Sequence, residues 1–350
     1  MALWVDKYRP KTIEELDYNV DQLEILKQMV GSNDFPHLLF CGPDGCGKRT
    51  RMHCLLREIF GDGIYQMKNT QIPFEMANGK QNKISGLDSK YHIEVRPSDL
   101  GHHDRVVVQS LIKNMASLSV DTSIYKKPFK VVIMQEADLL SFDAQQALRR
   151  TMEKYAGSCK LFLCCTSLNK IIDPVISRCM VIRLPAPTPE QLTPILKKIA
   201  QKEVVQVSDT FCNLLADKSD RNVRRAVLML EASVAKGGKN TVYDNEKLLV
   251  MPDWKEYVAK IAETILSKPT GDGIYNVRVQ IYELINRLIP KHVIFESLVT
   301  ELSKRLDDKA KYALFRAASK YQHMSLHGEK PLIFIEGFLL DFICLRLDEK

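Results

Sequence analysis

Short apolar runs of strand length alternate along the chain with stretches in which apolar residues return every three or four positions. The runs are HLLFC (37–41), YHIEV (91–95), KVVIM (130–134), KLFLCC (160–165) and MVIRL (180–184). They are nearly continuous rather than alternating, as expected of strands covered on both faces. After the first run, Met52, Leu55, Leu56, Ile59 and Phe60 follow the i, i+3, i+4, i+7, i+8 spacing of an amphipathic helix, and Gly61 supplies its stop. Ala144, Ala147, Leu148, Thr151, Met152 and Tyr155 mark a second helix. Buried strands alternating with helices predict a parallel α/β sheet.

The pattern changes at Pro185. PAPTPEQL carries prolines at 185, 187 and 189, and helical periodicity then takes over at Leu192, Ile195, Leu196 and Ile199, at Phe211, Leu214 and Leu215, and at Val223, Ala226, Val227 and Leu230. A small helical domain over 185–238 is predicted, with a break at KGGKN (236–240). The remainder, 239–350, is helical again, with Trp254 opening one segment and Tyr282, Leu284, Ile285, Leu288 and Ile289 in another. Its final segment, PLIFIEGFLLDFICLRL, is apolar on nearly every side and must be covered, either by its own domain or by neighbouring subunits. The expected organisation is therefore an α/β domain over 1–184 followed by two all-α domains, 185–238 and 239–350.

Composition narrows the class only a little. At 350 residues, 45% apolar and 27% charged, the chain has the makeup of an ordinary soluble protein of two or three domains. A net charge of +7 fits a surface that meets phosphate without requiring one. The nine cysteines contain no C-x-x-C pair, which predicts neither a disulfide framework nor a zinc site, and no metal ligands are assigned. MALWVDKYRP is charged within six residues, unlike a signal peptide, and the apolar stretch at 331–345 is interrupted by Glu336 and Asp341 and is too short to span a bilayer. A soluble protein with no membrane partner is expected.

The chemistry concentrates after the first strand. Gly42, Pro43, Asp44, Gly45, Cys46, Gly47 and Lys48 complete the G-x-x-x-x-G-K phosphate loop in its required strand–loop–helix setting. The backbone N–H groups of Gly45 to Lys48 would cradle phosphate oxygens, with Lys48 adding a charge-assisted contact. The next residue should carry a hydroxyl for Mg²⁺, but it is Arg49. Thr50 comes one position late, and a helix turns about 100° per residue, so Thr50 cannot take that place without remodelling. The strand KVVIM ends in Gln135-Glu136-Ala137-Asp138, where a metal-anchoring acid is expected first. Gln135 has no charge to offer a hard cation, while Glu136 stands where a water-activating base would sit. These residues read as a loop that holds a nucleotide, with Mg²⁺ possible but its ligand positions altered. QEAD also admits the plainer reading of a strand end and helix cap.

Taken together, WVDKYRP (4–10), FPHLLFCGPDGCGK (35–48), QEAD (135–138), AQQALRRTMEKY (144–155) and ISRC (176–179) resemble the small subunits of replication factor C, the sliding-clamp loader of the AAA+ ATPase family. The resemblance spans essentially the whole chain in the family's order. PSD (97–99), DRVVVQ (104–109) and the basic residue after the loop lysine narrow it to one animal branch. It implies an AAA+ P-loop module followed by an all-α lid and an all-α collar. It also implies ATP or ADP as cofactor, the other loader subunits, a ring-shaped clamp and primer–template DNA as partners, and a nuclear location.

Roles follow for matching positions. Val5, Tyr8, Arg9 and Pro10 would lie against the base, and Arg224 would reach the phosphates from the lid. Arg178, in ISRC, would act across an interface on a neighbouring subunit's nucleotide, where a guanidinium stabilises charge on the transferred phosphoryl group; the plainer reading is an arginine capping a strand start. Thr166 stands where the family has an Asn that positions water, a third change that weakens turnover. Arg105 and Lys113 are the candidates for duplex phosphates, and solvated helix faces would explain them as well. The implied function is an ATP-binding, hydrolysis-impaired subunit of a heteropentameric loader. The rivals are a competent stand-alone DNA-dependent ATPase motor and an adaptor with an empty loop.

Overall fold

A seven-stranded sheet is assembled from β1 (His37–Cys41), β2 (Lys68–Glu75), β3 (Gln81–Asp88), β4 (His92–Val95), β5 (Lys130–Met134), β6 (Cys159–Cys165) and β7 (Cys179–Arg183), in the order β2-β3-β4-β5-β6-β1-β7. This computed structural model describes residues 2–31, 35–75, 81–117, 129–267, 270–328 and 330–348. The five apolar runs supply the parallel part, from β4 through β7. The parallel sheet expected is present and carries an antiparallel edge: β2 and β3 form an antiparallel hairpin, and β3 pairs antiparallel with β4. Their sequences, KNTQIPFE and QNKISGLD, are largely polar and so carry no buried-strand signal. Pro73 within β2 is tolerated because that strand lies at the sheet edge.

Helices cover both faces. The first are α1 (Trp4–Lys7), α2 (Val20–Gly31), α3 (Lys48–Phe60), α4 (Asp104–Ser117), α5 (Phe142–Lys154) and α6 (Asp173–Ile176). Successive strand residues point to opposite faces. Leu39, Val132, Met134, Leu161 and Leu163 therefore meet α4 and α5 through Val108, Leu111, Ala144 and Leu148. Leu38, Phe40, Val131, Ile133 and Phe162 meet α2 and α3 through Leu26, Met52, Leu55 and Leu56. Gly61 ends α3 at φ 84°.

The proline-marked segment opens α7 (Pro189–Lys202), with Pro189 in its first turn and Thr188 and Gln191 forming a reciprocal cap. Ser208 caps α8 (Asp209–Lys218), and Asn222 caps α9 (Val223–Gly237). The chain then turns back, so that Tyr243 packs on Phe211 at 5.7 Å between ring centroids. Residues Met1–Val250 make one compact unit, and Met251–Lys350 a second.

The second unit is all-helical: α10 (Asp253–Ser267), α11 (Gly271–Asn286), α12 (Lys291–Ser303), α13 (Asp308–His327) and α14 (Pro331–Asp348). Ile335, Phe338, Leu339, Phe342 and Ile343 of α14 join its core with Val258, Ile281, Phe295 and Leu314. The apolar last helix is thus largely covered by its own domain, with Ile333 and Leu340 still exposed. Among the described residues, no helix is long and apolar enough to cross a membrane.

Candidate nucleotide site

The loop between β1 and α3 is held open by its glycines and fixed from below. A Cβ on Gly42 would lie 2.1 Å from the Leu184 carbonyl oxygen, so only glycine fits there. Gly45 and Gly47 have φ values of 74° and 83°. Lys48 donates to the carbonyls of Gly42 at 2.6 Å and Pro43 at 3.0 Å, which places its ammonium at the centre of the loop. The Cys46 carbonyl accepts from Tyr18 Oη at 2.9 Å and Arg51 Nη1 at 3.2 Å. The Arg51 guanidinium stacks 4.3 Å above the Tyr18 ring. Tyr18 and the fully buried Arg51 are site-shaping residues that sequence reasoning missed, since one arginine in KRTR looks like its neighbours.

Two cavities meet at this loop. One, of about 230 Å³, is walled by Trp4, Val5, Tyr8, Arg9 and Pro10, facing Ile195 and Ile199 of α7 and Val223, Arg224 and Val227 of α9, with Gly45, Gly47 and Thr50 at its base. Aromatic and aliphatic walls with a few polar groups suit a flat heteroaromatic ring. The N-terminal wall is tied to the helical segment: Tyr8 Oη donates to Glu203 at 2.6 Å, Lys7 Nζ at 2.5 Å and Lys239 Nζ at 3.0 Å. These three hydrogen bonds hold the Glu203 carboxyl down at about 2. The second cavity, of about 210 Å³, shares Arg9, Thr50 and Arg224 with the first and adds Asp44, Lys48, Arg49, Gln135, Glu136 and Thr166.

The polar groups of the second cavity are already bound to one another. Arg49 Nη2 lies 2.7 Å from Glu94 Oε2, and Gln135 Nε2 donates to that same oxygen at 3.1 Å. The two residues that replace expected metal ligands therefore converge on one carboxylate of β4, which is 2% exposed. His53 contacts its other oxygen. Burial alone would raise this carboxyl; the His53 hydrogen bond and the neighbouring His53, Arg49 and His92 side chains outweigh it and hold Glu94 well below the usual carboxylate range. Arg96 donates to Gln135 Oε1 at 3.3 Å and sits 3.3 Å from Glu136 Oε1. Glu136 itself occupies the left-handed region at φ 53°. Thr166 gives both its N–H and its hydroxyl to Asp138 Oδ2, at 3.1 and 2.5 Å.

Glu94, Arg96 and His53 were not singled out in the sequence, and Asp138 was named only as the last residue of QEAD. One signal was available: a glutamate inside the run YHIEV must be paired if the strand is buried.

The remaining candidates lie elsewhere. Arg178, just after α6, donates through Nε to Glu153 at 2.8 Å and through Nη1 to the Pro174 carbonyl at 2.8 Å. It lines neither cavity. Arg105 and Lys113 stand on the exposed side of α4 and are not brought to the cleft.

Comparison with known proteins matches this arrangement part by part. Residues 18–188 match the family profile described as DNA polymerase III, delta subunit; residues 194–234 match a replication-factor-C-type AAA+ ATPase lid domain; residues 254–349 match the C-terminal domain of replication factor C subunit 3. Replication factor C subunit 3 of Mus musculus is 40% identical over 346 residues, covering 99% of this chain and 96% of that protein. Replication factor C subunit 5 of Schizosaccharomyces pombe is 38% identical, over 97% and 96% of the two chains. Among solved structures, a single-substitution form of Thermotoga maritima RuvB shares the fold, with a TM-score of 0.51 and 17% identity over 78% of this chain and 85% of that one. With relatives this similar over nearly its whole length, the chain belongs to the replication factor C family of small clamp-loader subunits.

Proposed function

We propose that this chain is the ATP- or ADP-holding, hydrolysis-impaired member of a heteropentameric clamp loader. One observation carries the reading: Arg49 and Gln135 are both engaged by the buried Glu94 carboxylate. A guanidinium and an amide bound in this way offer no anionic ligand, so the residues present do not fit a catalytic Mg²⁺ at its usual place. They do fit a nucleotide. The loop bends at Gly45 and Gly47 around the Lys48 ammonium, Arg224 lines the same cavity from α9, and the N-terminal wall with Tyr8 and Pro10 accepts the base. Arg96 beside Glu136, and Asp138 on Thr166, take up the groups that would otherwise activate and place water.

The same proposal gives Arg178 a role on the neighbouring subunit. Its position away from this chain's own cavities supports that reading, and Glu153 would hold the guanidinium until the neighbour docks. Residues 1–184, 185–238 and 239–350 would serve as nucleotide-binding, lid and collar parts. Other loader subunits, the ring-shaped clamp and primer–template DNA would be the partners, with Arg105 and Lys113 along the DNA and the nucleus as the site of action.

The test is nucleotide content. In the purified complex this subunit should retain adenine nucleotide, Lys48→Ala should lower that occupancy, and the isolated chain should not turn over ATP. An empty loop at saturating ATP would leave an adaptor, and brisk turnover by the isolated chain would favour a motor.

A further inference from the structure

We propose that His53, His92 and Glu94 form a binding site for a zinc-type divalent ion, placed behind the nucleotide cleft. One ligand atom from each residue lies within 4.8 Å of the others. All three residues are buried, at 3%, 0% and 2% exposure. His53 comes from the middle of α3, while His92 and Glu94 lie two apart on β4, so both strand side chains point to the same face.

His92 supplies the independent observation. Its Nε2 is buried, has no hydrogen-bond partner among the described residues, and stands 3.8 Å from Glu94 Oε1. The rest of the ring is satisfied. The Ser89 hydroxyl lies 2.7 Å from Nδ1 and 3.1 Å from the His92 carbonyl, and it accepts the backbone N–H groups of Tyr91 at 3.3 Å and His92 at 3.0 Å. Nε2 is thus left unpaired before a carboxylate oxygen, and a cation bound between the two would satisfy both. The Ser89 contact is also what a metal-bound imidazole ordinarily has on its far nitrogen.

The dimensions fit after a small adjustment. Zinc bonds of about 2.0–2.2 Å in a tetrahedron place ligand atoms roughly 3.3–3.6 Å apart. The His92–Glu94 separation is close to that, and the direct His53–Glu94 contact would open as the ion replaces the proton between them, which leaves to solvent. Two imidazoles and one carboxylate favour zinc over calcium or magnesium, and the fourth position falls to water. Arg49 is both gate and competitor. It lies between the second cavity and Glu94, with its side chain 34% exposed and its charge on the carboxylate's outer oxygen. These residues come from a helix and a strand about forty positions apart, so no short sequence motif marks them.

The experiment titrates the full, nucleotide-free chain with Co²⁺ as a spectroscopic probe and Zn²⁺ as competitor. Expected are visible d–d bands saturating at a single equivalent, without the near-ultraviolet bands of sulfur ligation, and bleached by Zn²⁺. His53→Gln and His92→Gln should each weaken binding at least about tenfold, and Ser89→Ala by about 10–100-fold, in line with the loss of a ligand or of its supporting partner. Arg49→Ala should tighten it by removing the competing charge. Absence of the bands, sulfur charge-transfer bands, or binding unchanged by His92→Gln would overturn the proposal. Should the histidine variants fail to fold, Ser89→Ala and Arg49→Ala decide: unchanged affinity in both refutes the site.

Discussion

Replacing Arg49 by alanine should destabilise the first unit without restoring catalysis, and the magnitude can be worked from the geometry. At 2.7 Å, two unit charges in an effective dielectric of about 20 attract by roughly 6 kcal/mol. Much of this is offset. About a third of the Arg49 side chain remains in water, and Glu94 keeps His53 and Gln135 when the guanidinium goes. A net loss of about 2 kcal/mol is expected, below the roughly 3–5 kcal/mol typical of breaking a fully buried pair. For a unit of this size that corresponds to a fall of about 4–8 °C in Tm. The chain has two tryptophans, Trp4 in the first unit and Trp254 in the second, so Trp4 fluorescence in a Trp254→Phe background follows the first unit alone. A double-mutant cycle of Arg49→Ala with Glu94→Gln at neutral pH should give a coupling of about 2 kcal/mol, because the second change removes the charge that the first leaves unpaired. Strict additivity, within about 0.5 kcal/mol, would refute the ion pair as the reason for Arg49.

Arg178→Ala should leave nucleotide binding by this chain nearly unchanged while slowing hydrolysis at the site it serves by about 10³–10⁵-fold, read as clamp- and DNA-stimulated ATPase of the reconstituted complex. Lysine there should rescue only partly, and unchanged turnover would return Arg178 to a local contact with Glu153. Glu203 has its folded carboxyl held at about 2 against an unfolded value of 4.5, so its contribution is complete above the unfolded value and lost as pH falls toward 2. Glu203→Gln should therefore flatten the acid limb of first-unit stability, and an unaltered acid limb would contradict the clamp on Lys7 and Tyr8. Gly45→Ala adds a Cβ at φ 74° that would sit 1.9 Å from Asn222 Oδ1. It should cost roughly 1–2 kcal/mol from the backbone alone and reduce the thermal shift produced by added ATP; a wild-type shift would mean the lid cap does not need that approach.

The parallel strands, the phosphate loop and α3 were legible because each depends on neighbours in sequence. Apolar runs mark strands buried on both faces, and glycine spacing marks the loop. The β2–β3 hairpin was hidden because an edge position lets its residues be polar, which erases the hydrophobic period. The site's polar network was hidden for another reason. Arg49 and Gln135 were visible as departures, but their common partner Glu94 is fixed only when β4 and β5 lie side by side with α3 across them. The Glu203 clamp joins residues nearly two hundred positions apart and leaves no local trace.

The sharing of Glu94 by Arg49 and Gln135 also constrains how this site can change over generations. A single step from Arg49 to a hydroxyl residue strips the buried carboxylate of a countercharge, while a single step from Gln135 to aspartate sets a second anion against the first. Either single step toward the expected metal ligands is therefore costly for as long as Glu94 keeps its place and its charge.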